Sequence, residues 1–302
     1  MSNFGEVPEG VEVQECKIMP QRNNMDKKLI LITGATAGIG ETAAQALAVQ
    51  GHELIIVGRN PQKTTGVVEH IRAQTGNNDI HGLLADFSDL QQIRQLAEQV
   101  KTKFSKLDVL INNAGTYFGK REKTKYDAEK TFVVNHLAPF LLTNLLLDHL
   151  QDHARIINVS SNAHYSGILD LNDLNLSKFY FGLTAYQRSK LANVLFTYEL
   201  ARRLAGTTIT VNALHPGLIA TDIFRRNYGI LGPLIKWIIS RYAITLEAGA
   251  DNTVFLAASA EVEGVTGKYF VKRNAVTSAP LSYDQDLAKR LWEVSEKLTG
   301  IP

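Results

Sequence analysis

Residues 29–40, LILITGATAGIG, decide the fold, because an apolar strand-like run leads directly into a glycine-rich turn. Gly34, Gly38 and Gly40 follow the spacing G-x-x-x-G-x-G, and a helical pattern begins within the turn. Glycine lets the backbone approach a bound group closely, and the N-terminus of the following helix carries partial positive charge. Ordinary turns also use glycine, but a strand, a glycine turn and a helix in this order predict a site for a dinucleotide pyrophosphate.

The same alternation of strand and helix continues along the chain. The predicted strands are 29–33, 53–57, 80–85, 109–111, 155–159, 208–214 and 268–271, and the predicted helices lie near 39–50, 61–75, 88–104, 125–150, 184–205 and 246–259. Continuous apolar strands separated by helices indicate a parallel sheet that is covered on both faces. We therefore expect an α/β chain: a single-domain, doubly wound Rossmann fold with a seven-stranded parallel sheet.

Composition narrows the class of protein. The 302 residues are 45% hydrophobic and 21% charged, and the formal net charge is +2 with basic residues dispersed, so no nucleic-acid partner is indicated. No apolar run reaches the ~18 residues that span a bilayer, so no integral membrane segment is expected. Cys16 is the only cysteine, which excludes an intrachain disulfide and favours a reducing, cytoplasmic location. No Cys/His cluster indicates a metal site.

One helix combines an apolar surface with a basic side chain. The stretch TAYQRSKLANVLF, 184–196, places Tyr186, Lys190, Asn193 and the following Thr197 on a narrow polar stripe. The remaining positions are mostly apolar, which is typical of a buried helix. Because burial of a lysine is costly, the pattern indicates that Lys190 has a function.

The end of the second predicted strand bears on the choice of nicotinamide cofactor. An acidic residue there would bind a ribose 2′-hydroxyl, whereas an arginine would bind a 2′-phosphate. The sequence is IIVGRN, with Gly58 at the expected acidic position and Arg59 after it. This favours NADP(H) over NAD(H), with Arg59 as a simple surface charge being the alternative.

Five motifs in a fixed order resemble the short-chain dehydrogenase/reductase family. They are TGATAGIG (33–40), NNAG (112–115), SS (160–161), YQRSK (186–190) and HPG (215–217), and the resemblance covers about 27–271. The segment AYQRSKLANVLFTYEL and the late GKYF are similar to the retinol-dehydrogenase-like and WW-domain-oxidoreductase-like branch. So is the separation of Ser161 from Tyr186 by 25 residues.

The resemblance implies catalytic roles for three of these residues. Tyr186 would donate a proton in carbonyl reduction or accept one in alcohol oxidation. A free tyrosine has a pKa of about 10, and the charge of Lys190 would favour the phenolate. Ser161, the second serine of its motif, would bind and polarise the substrate oxygen. Lys190 would also hydrogen-bond the nicotinamide ribose.

Asn135 is a fourth candidate, and a local argument supports it. Pro139 cannot donate to the backbone carbonyl four residues before it, which belongs to Asn135. That carbonyl would be available to a water, and the family uses an asparagine here in a proton relay to the lysine. A simple packing kink at Pro139 is the alternative.

The family motifs imply further contacts with the cofactor. Asp86 would accept from the adenine amino group, and Ile219 and Thr221 would contact the nicotinamide carboxamide. Ala37 stands where many NADP-using relatives carry a basic residue, so Arg59 would carry the preference largely alone. The implied set is Gly34, Thr36, Ala37, Gly38, Ile39, Gly40, Arg59, Asp86, Phe87, Asn112, Asn113, Ala114, Gly115, Tyr186, Lys190, Pro216, Gly217, Ile219 and Thr221.

The domain plan is a flexible tail at 1–26 followed by one Rossmann domain at 27–302, with a substrate lid at about 222–245. The apolar and basic segment 224–243 could pack as this lid, form an oligomer contact or lie on a membrane surface. Apolar walls there would favour a lipophilic ketone, aldehyde or alcohol. The family pairs subunits through the helices near 125–150 and 184–205, so a homodimer or homotetramer is expected.

The leading interpretation is an NADP(H)-dependent oxidoreductase that acts on a carbonyl or alcohol of a lipophilic, retinol-like small molecule. A non-catalytic, NADP-sensing binding protein on the same sheet is the alternative, but Ser161, Tyr186 and Lys190 are all present. An epimerase, dehydratase or light-driven ring reductase could use the same Tyr/Lys pair. His164, close to Ser161, is interpreted as either substrate-facing or a surface-loop histidine.

Overall fold

A mostly parallel sheet lies at the centre of the residues that the computed structural model describes, 27–217 and 244–301. Its order is β3-β2-β1-β4-β5-β6-β7-β8, and the neighbouring pairs from β3 to β7 are parallel. The strands are β1 Leu29–Thr33, β2 Glu53–Gly58, β3 Ile80–Leu84, β4 Leu107–Asn112, β5 Leu150–Val159, β6 Thr210–His215, β7 Tyr269–Val271 and β8 Asn274–Val276. The predicted Rossmann fold is confirmed, with one strand more than expected.

Helices cover both faces of this sheet. They are α1 Gly38–Val49, α2 Pro61–Thr75, α3 Leu90–Lys103, α4 Lys130–Phe132, α5 Ala138–Leu146, α6 Gly182–Arg203, α7 Leu246–Ala258 and α8 Gln285–Thr299. One apolar layer packs α1, α2 and α7 on the sheet, and the other packs α3, α5, α6 and α8. The strand order reverses between β1 and β4, and this leaves a crevice at the carboxyl ends of the strands.

Several expectations fall on residues outside the described ranges. The predicted tail at 1–26, with Cys16, lies outside them, as do Ile219 and Thr221. The segment 224–243 also lies outside, and so does the predicted lid except for its last two positions, 244 and 245.

The prediction of seven strands, all parallel, was wrong because of β8. This short strand pairs antiparallel with β7 through a two-residue turn, Lys272 and Arg273, whose φ angles are 49° and 64°. Such turns usually contain glycine or asparagine, because positive φ is costly for other residues. The sequence therefore lacked the usual hairpin signal, and the three residues of β8 are exposed.

The predicted helix at 125–150 was too long at both ends. Residues 125–129 form a turn in which Asp127 has a φ of 55°, and the helix begins at Lys130. Between α4 and α5 lies a π-helical turn, Val133–Leu137, in which the Ala138 N–H bonds to the Val133 carbonyl. At the other end β5 already begins at Leu150.

The C-terminal helix α8 was missed, although its signals are present in the sequence. Asp284 caps its first turn, and Gly300 ends it in the left-handed conformation. Its apolar side buries Leu291 and Trp292, and the Trp292 ring lies 4.9 Å from that of Phe140 and 5.7 Å from that of Phe196. The apolar sides of α5 and α6 that suggested subunit pairing thus contact α8 of the same chain.

Among the described residues, one stretch is long and apolar enough to cross a membrane by length and composition. It is Lys130–His149, with a mean hydropathy of 1.2, and 72% of it is buried inside the fold. Burial against the sheet and α8 accounts for its apolar composition, since a core helix meets the same criteria.

Replacement of Trp292 by alanine should lower the free energy of unfolding by about 3–5 kcal/mol, because it removes a large side chain from a closed apolar cluster. Leu298→Ala on the same helix is the matched control, since Leu298 is 39% exposed. Urea unfolding at constant m-value measures both losses. Equal losses would contradict the packing role of α8.

Candidate active site

A cavity of about 1020 Å³ opens at the carboxyl ends of the strands, in the crevice where the strand order reverses. Its size is within the range of cofactor and substrate sites. Most residues that the sequence analysis selected line it: Gly34, Thr36, Ala37, Gly38, Ile39, Gly40, Arg59, Asp86, Phe87, Asn113, Ala114, Gly115, Ser161, Tyr186, Lys190, Pro216 and Gly217.

The glycine turn has no room for a side chain at Gly34 or at Gly40. Gly34 has a φ of 65°, and a Cβ there would lie 2.8 Å from the Cα of Ala114. A Cβ on Gly40 would lie 2.4 Å from Nδ2 of Asn113 and 2.6 Å from the Gly34 carbonyl oxygen. The turn therefore requires glycine at these two positions.

Thr33 and Asn113 hold the glycine turn against β4. Thr33 Oγ1 accepts from the backbone N–H groups of Asn113 and Ala114, each at 3.0 Å. Asn113 Nδ2 donates to the carbonyls of Thr33 and Gly34 at 2.8 and 3.1 Å. This role of Thr33 was not predicted, although Thr33 is the last residue of β1 and the first residue of the motif TGATAGIG.

The residues at the start of α1 fit the phosphate groups of a dinucleotide. Ala37 precedes the helix without a side-chain cap, so its side chain accepts no hydrogen bond from the first N–H groups of α1. Uncapped N–H groups and the helix dipole favour an anion at this end. The close-packed glycines leave the backbone accessible from the cavity, and the residues present therefore fit the expected cofactor.

Of the two asparagines in NNAG, only Asn113 reaches the cavity, so the expectation for Asn112 was wrong. Asn112 is 3% exposed and donates to Thr143 Oγ1 and Asn158 Oδ1, both at 2.9 Å. Because successive side chains of a strand point to opposite faces, Asn112 joins β4 to β5 and α5 instead.

At the end of β2, the packing around Gly58 leaves no space for the acidic side chain that would bind a ribose 2′-hydroxyl. A Cβ on Gly58 would lie 2.2 Å from Thr64 Oγ1 and 2.5 Å from Thr36 Cγ2. Arg59 follows at the cavity edge with its side chain 72% exposed, and its guanidinium lies 3.9 Å from the Asp86 carboxylate. A cation that is both exposed and close to the cavity is available to an incoming anion.

Tyr186 and Ser161 meet within the cavity. Burial raises the pKa of Tyr186 to about 12, and a hydrogen bond with the Ser161 side chain partly offsets this increase. Ser161 caps a short helical turn, Asn162–Ser166, through a 3.2 Å bond from the Ala163 N–H. The two hydroxyl groups are therefore arranged to contact one substrate oxygen.

Lys190 is 4% exposed, and two hydrogen bonds join its residue to the end of β5. Its Nζ donates to the Val159 carbonyl at 2.9 Å, while Ser160 Oγ donates to the Lys190 carbonyl at 2.8 Å. Nζ lies 5.6 Å from the Tyr186 ring centre. Burial lowers the pKa of Lys190 to about 8, because the ammonium loses its hydration.

Asn135 lies behind the cavity wall rather than on it. Its Oδ1 accepts from the Thr116 N–H at 2.7 Å, and its Nδ2 donates to Ser189 Oγ at 2.9 Å. A Cβ on Gly115 would lie 3.5 Å from Lys190 Nζ and 3.7 Å from Asn135 Oδ1. The structure thus brings Asn135 and Lys190 to the same glycine, while Pro139 follows the π-helical turn that contains Asn135.

The far end of the polar stripe on α6 has a structural role. Thr197 accepts from Asn158 Nδ2 at 2.9 Å and donates to the Asn193 carbonyl, so the far end of the polar stripe stabilises the contact between α6 and β5.

Among residues 27–217 and 244–301, no three His, Cys, Asp or Glu side chains are grouped as metal ligands.

Residues 28–228 match the short chain dehydrogenase family. The chain belongs to that family. Human retinol dehydrogenase 13 is 39% identical over 294 residues, which cover 93% of this chain and 87% of the relative. Human polyprenol dehydrogenase is 37% identical over 285 residues, 91% of this chain and 86% of the relative. The predicted family and its retinol-dehydrogenase-like branch are confirmed.

Solved structures support the same fold. A protein from Mycobacterium paratuberculosis is 32% identical, with a TM-score of 0.75, and the match covers 91% of this chain and 94% of the other. A blue fluorescent protein from a metagenomic library, solved with NADPH, is 30% identical with a TM-score of 0.66, covering 82% and 96%. A Burkholderia cenocepacia short chain dehydrogenase, solved with NADP, is 27% identical with a TM-score of 0.64, covering 81% and 95%. The chain is an oxidoreductase of a family that uses nicotinamide cofactors.

Proposed function

We propose that this chain is an NADP(H)-dependent oxidoreductase that acts on a carbonyl or alcohol of a lipophilic small molecule. The observation that carries the proposal is the meeting of Ser161, Tyr186 and Lys190 in the cavity that the glycine turn also lines. One end of this cavity fits a dinucleotide, and the other end offers two hydroxyl groups to a substrate oxygen.

When bound, the nicotinamide supplies the hydride acceptor or donor, and the chain supplies geometry and proton transfer. Ser161 holds and polarises the substrate oxygen through its hydroxyl group. Tyr186 donates its phenol proton to that oxygen in carbonyl reduction and accepts a proton in alcohol oxidation. Both groups come from rigid positions, Ser161 from the end of β5 and Tyr186 from α6.

In the cofactor-free chain the electrostatics of Tyr186 favour proton donation. A pKa of about 12 keeps the Tyr186 phenol protonated at neutral pH, so it can donate. When Lys190 carries its proton, its positive charge favours the phenolate that forms as the proton leaves. Asn135, which lies with Lys190 beside Gly115, would hold a water that returns a proton to the lysine.

The preference for NADP(H) rests on the end of β2. Close packing of Gly58 against Thr36 and Thr64 leaves no room for an acidic side chain, and the exposed guanidinium of Arg59 would bind a 2′-phosphate. Asp86 lies beside it and would accept from the adenine amino group. The solved relatives with NADPH and NADP support the same cofactor.

The class of substrate is inferred from the cavity wall and from the relatives. Phe118, Leu183, Ile244 and Leu246 are apolar side chains on that wall. Retinol and polyprenol, which name two relatives, are lipophilic alcohols. A lid at about 222–245, a cytoplasmic location and a homodimer or homotetramer stay predictions. A non-catalytic NADP-sensing protein would not need the joined hydroxyls of Ser161 and Tyr186.

Tyr186→Phe should lower kcat by about 10²–10⁴-fold, because it removes the proton donor, while the Kd for NADPH stays within about twofold. A panel of carbonyls and alcohols that includes all-trans-retinal and retinol, followed at the nicotinamide absorbance band, measures turnover. Tyr126→Phe is the control, since Tyr126 binds Asp89 at the surface. Full activity of the Tyr186 variant would refute the proposal.

Arg59→Asp should reduce the ratio of NADPH to NADH affinity at least about 10-fold, because a carboxylate repels the 2′-phosphate that the guanidinium binds. Fluorescence titration with both cofactors gives this ratio. The exposed Arg290→Asp makes the same change of charge on α8 and should leave the ratio unaltered. An unchanged ratio in the Arg59 variant rules out its role in cofactor selection.

A further inference from the structure

His164 is a buried group close to the active site that neither the catalytic roles nor the cofactor contacts use. It lies three residues after Ser161 and has no exposed surface. It does not line the cavity that Ser161 lines, so it contacts neither substrate nor cofactor there. The structure thus corrects both sequence interpretations, the substrate-facing histidine and the surface histidine.

The hydrogen bonds of His164 determine which ring nitrogen carries the proton. The backbone N–H of Ala279 donates to Nε2 at 3.0 Å, so Nε2 must offer its lone pair. The other nitrogen, Nδ1, lies 2.7 Å from the Ser161 carbonyl oxygen, which can only accept. The ring is therefore neutral and carries its proton on Nδ1.

His164 joins the backbone of Ser161 to a distant part of the chain. The Ser161 carbonyl receives two donors, the His164 ring at 2.7 Å and the His164 backbone N–H at 3.1 Å. The far side of the ring contacts the segment 277–283, which follows β8. That segment also accepts the Tyr165 hydroxyl at the Thr277 carbonyl and binds Tyr198 of α6 through Ser278 at 2.7 Å.

The surroundings keep this ring neutral and fixed. The rings of Tyr165 and Tyr269 lie 4.2 and 4.6 Å from it. Burial lowers the pKa of His164, and the nearby His215 also has a lowered pKa through burial. A second proton on the ring would place an N–H directly against the Ala279 N–H.

We propose that His164 is a positioning residue for Ser161. The neutral ring of His164 links the turn that contains Ser161 to the segment 277–283 through its two hydrogen bonds. It acts only through Ser161, because it does not contact the reacting atoms. This inference rests on the proposed function, in which the Ser161 hydroxyl holds the substrate oxygen. A displacement of about 1 Å at a group that orients the substrate can cost about 10²-fold in rate.

Two variants each keep one of the two ring hydrogen bonds. In His164→Asn the side-chain amide can still reach the Ser161 carbonyl, and in His164→Gln the longer side chain can still reach Ala279. Because positioning of Ser161 requires both hydrogen bonds, each variant should lower kcat for the best carbonyl of the probe panel by about 10–100-fold. The Kd for NADPH should change less than about twofold, since His164 does not line the cavity.

The same variants in a Ser161→Ala background distinguish positioning from general destabilisation. If His164 acts through Ser161, its replacement should change kcat less than about twofold once the hydroxyl is gone, so the two effects are non-additive. Losses of equal factor in both backgrounds would overturn the proposal. Asn77→Ala is the control for a remote buried polar group, since Asn77 is 3% exposed and binds the Ala48 and His52 carbonyls.

A measurement independent of turnover completes the test. Nitrogen-15 NMR of the imidazole groups, assigned with His164→Gln, should show His164 as the neutral Nδ1–H tautomer at pH 7. A charged ring or the Nε2–H tautomer would contradict the proposed pair of hydrogen bonds that join His164 to Ser161 and Ala279. A wild-type chain that turns over none of the probes refutes the proposed function, whereas an active chain with additive losses refutes only the role of His164.

Discussion

The two hydrogen bonds between Lys190 of α6 and the end of β5 are the contact on which the geometry of the active site depends. Lys190 Nζ donates to the Val159 carbonyl, and Ser160 donates to the Lys190 carbonyl, so strand and helix hold each other at adjacent residues. Ser161 lies two residues after the end of the strand, and Tyr186 lies one turn before Lys190 on the helix. A shift of either element by one residue would separate the two hydroxyl groups. The bond from Nζ replaces only part of the hydration that the buried ammonium loses, and both bonds fix Lys190 against the strand.

A second set of contacts positions the cofactor end of the cavity. Thr33 and Asn113 bind the glycine turn to β4, and the backbone then continues to Gly115, beside which Lys190 lines the cavity and Asn135 lies behind its wall. The residues proposed to hold the nucleotide and those proposed to transfer a proton are therefore joined by one short segment. This continuity explains why a Rossmann sheet can position hydride and proton transfer together, since both sites lie at the carboxyl ends of neighbouring strands.

Local patterns predicted most of the fold and of the site. Apolar runs predicted seven strands, and glycine spacing with the ordered motifs placed nearly every selected residue on one cavity. The predictions failed where tertiary contacts, rather than the local sequence, determine the backbone conformation or the burial of a residue. Lys272 and Arg273 adopt positive φ because the β7–β8 pairing holds them there, and His164 is buried by residues that follow it by more than a hundred positions. The α8 helix is different, because Asp284 and Gly300 marked its ends in the sequence.

In the cofactor-free chain Lys190 is buried without its full hydration, and the titration of its side chain tests this most directly. Carbon-13 NMR of labelled lysine side chains, with Lys190→Gln for assignment, gives the midpoint. The structure predicts a pKa of about 8, against roughly 10.4 for an exposed lysine. A midpoint above about 10 would show a solvated ammonium and would contradict the account of the site.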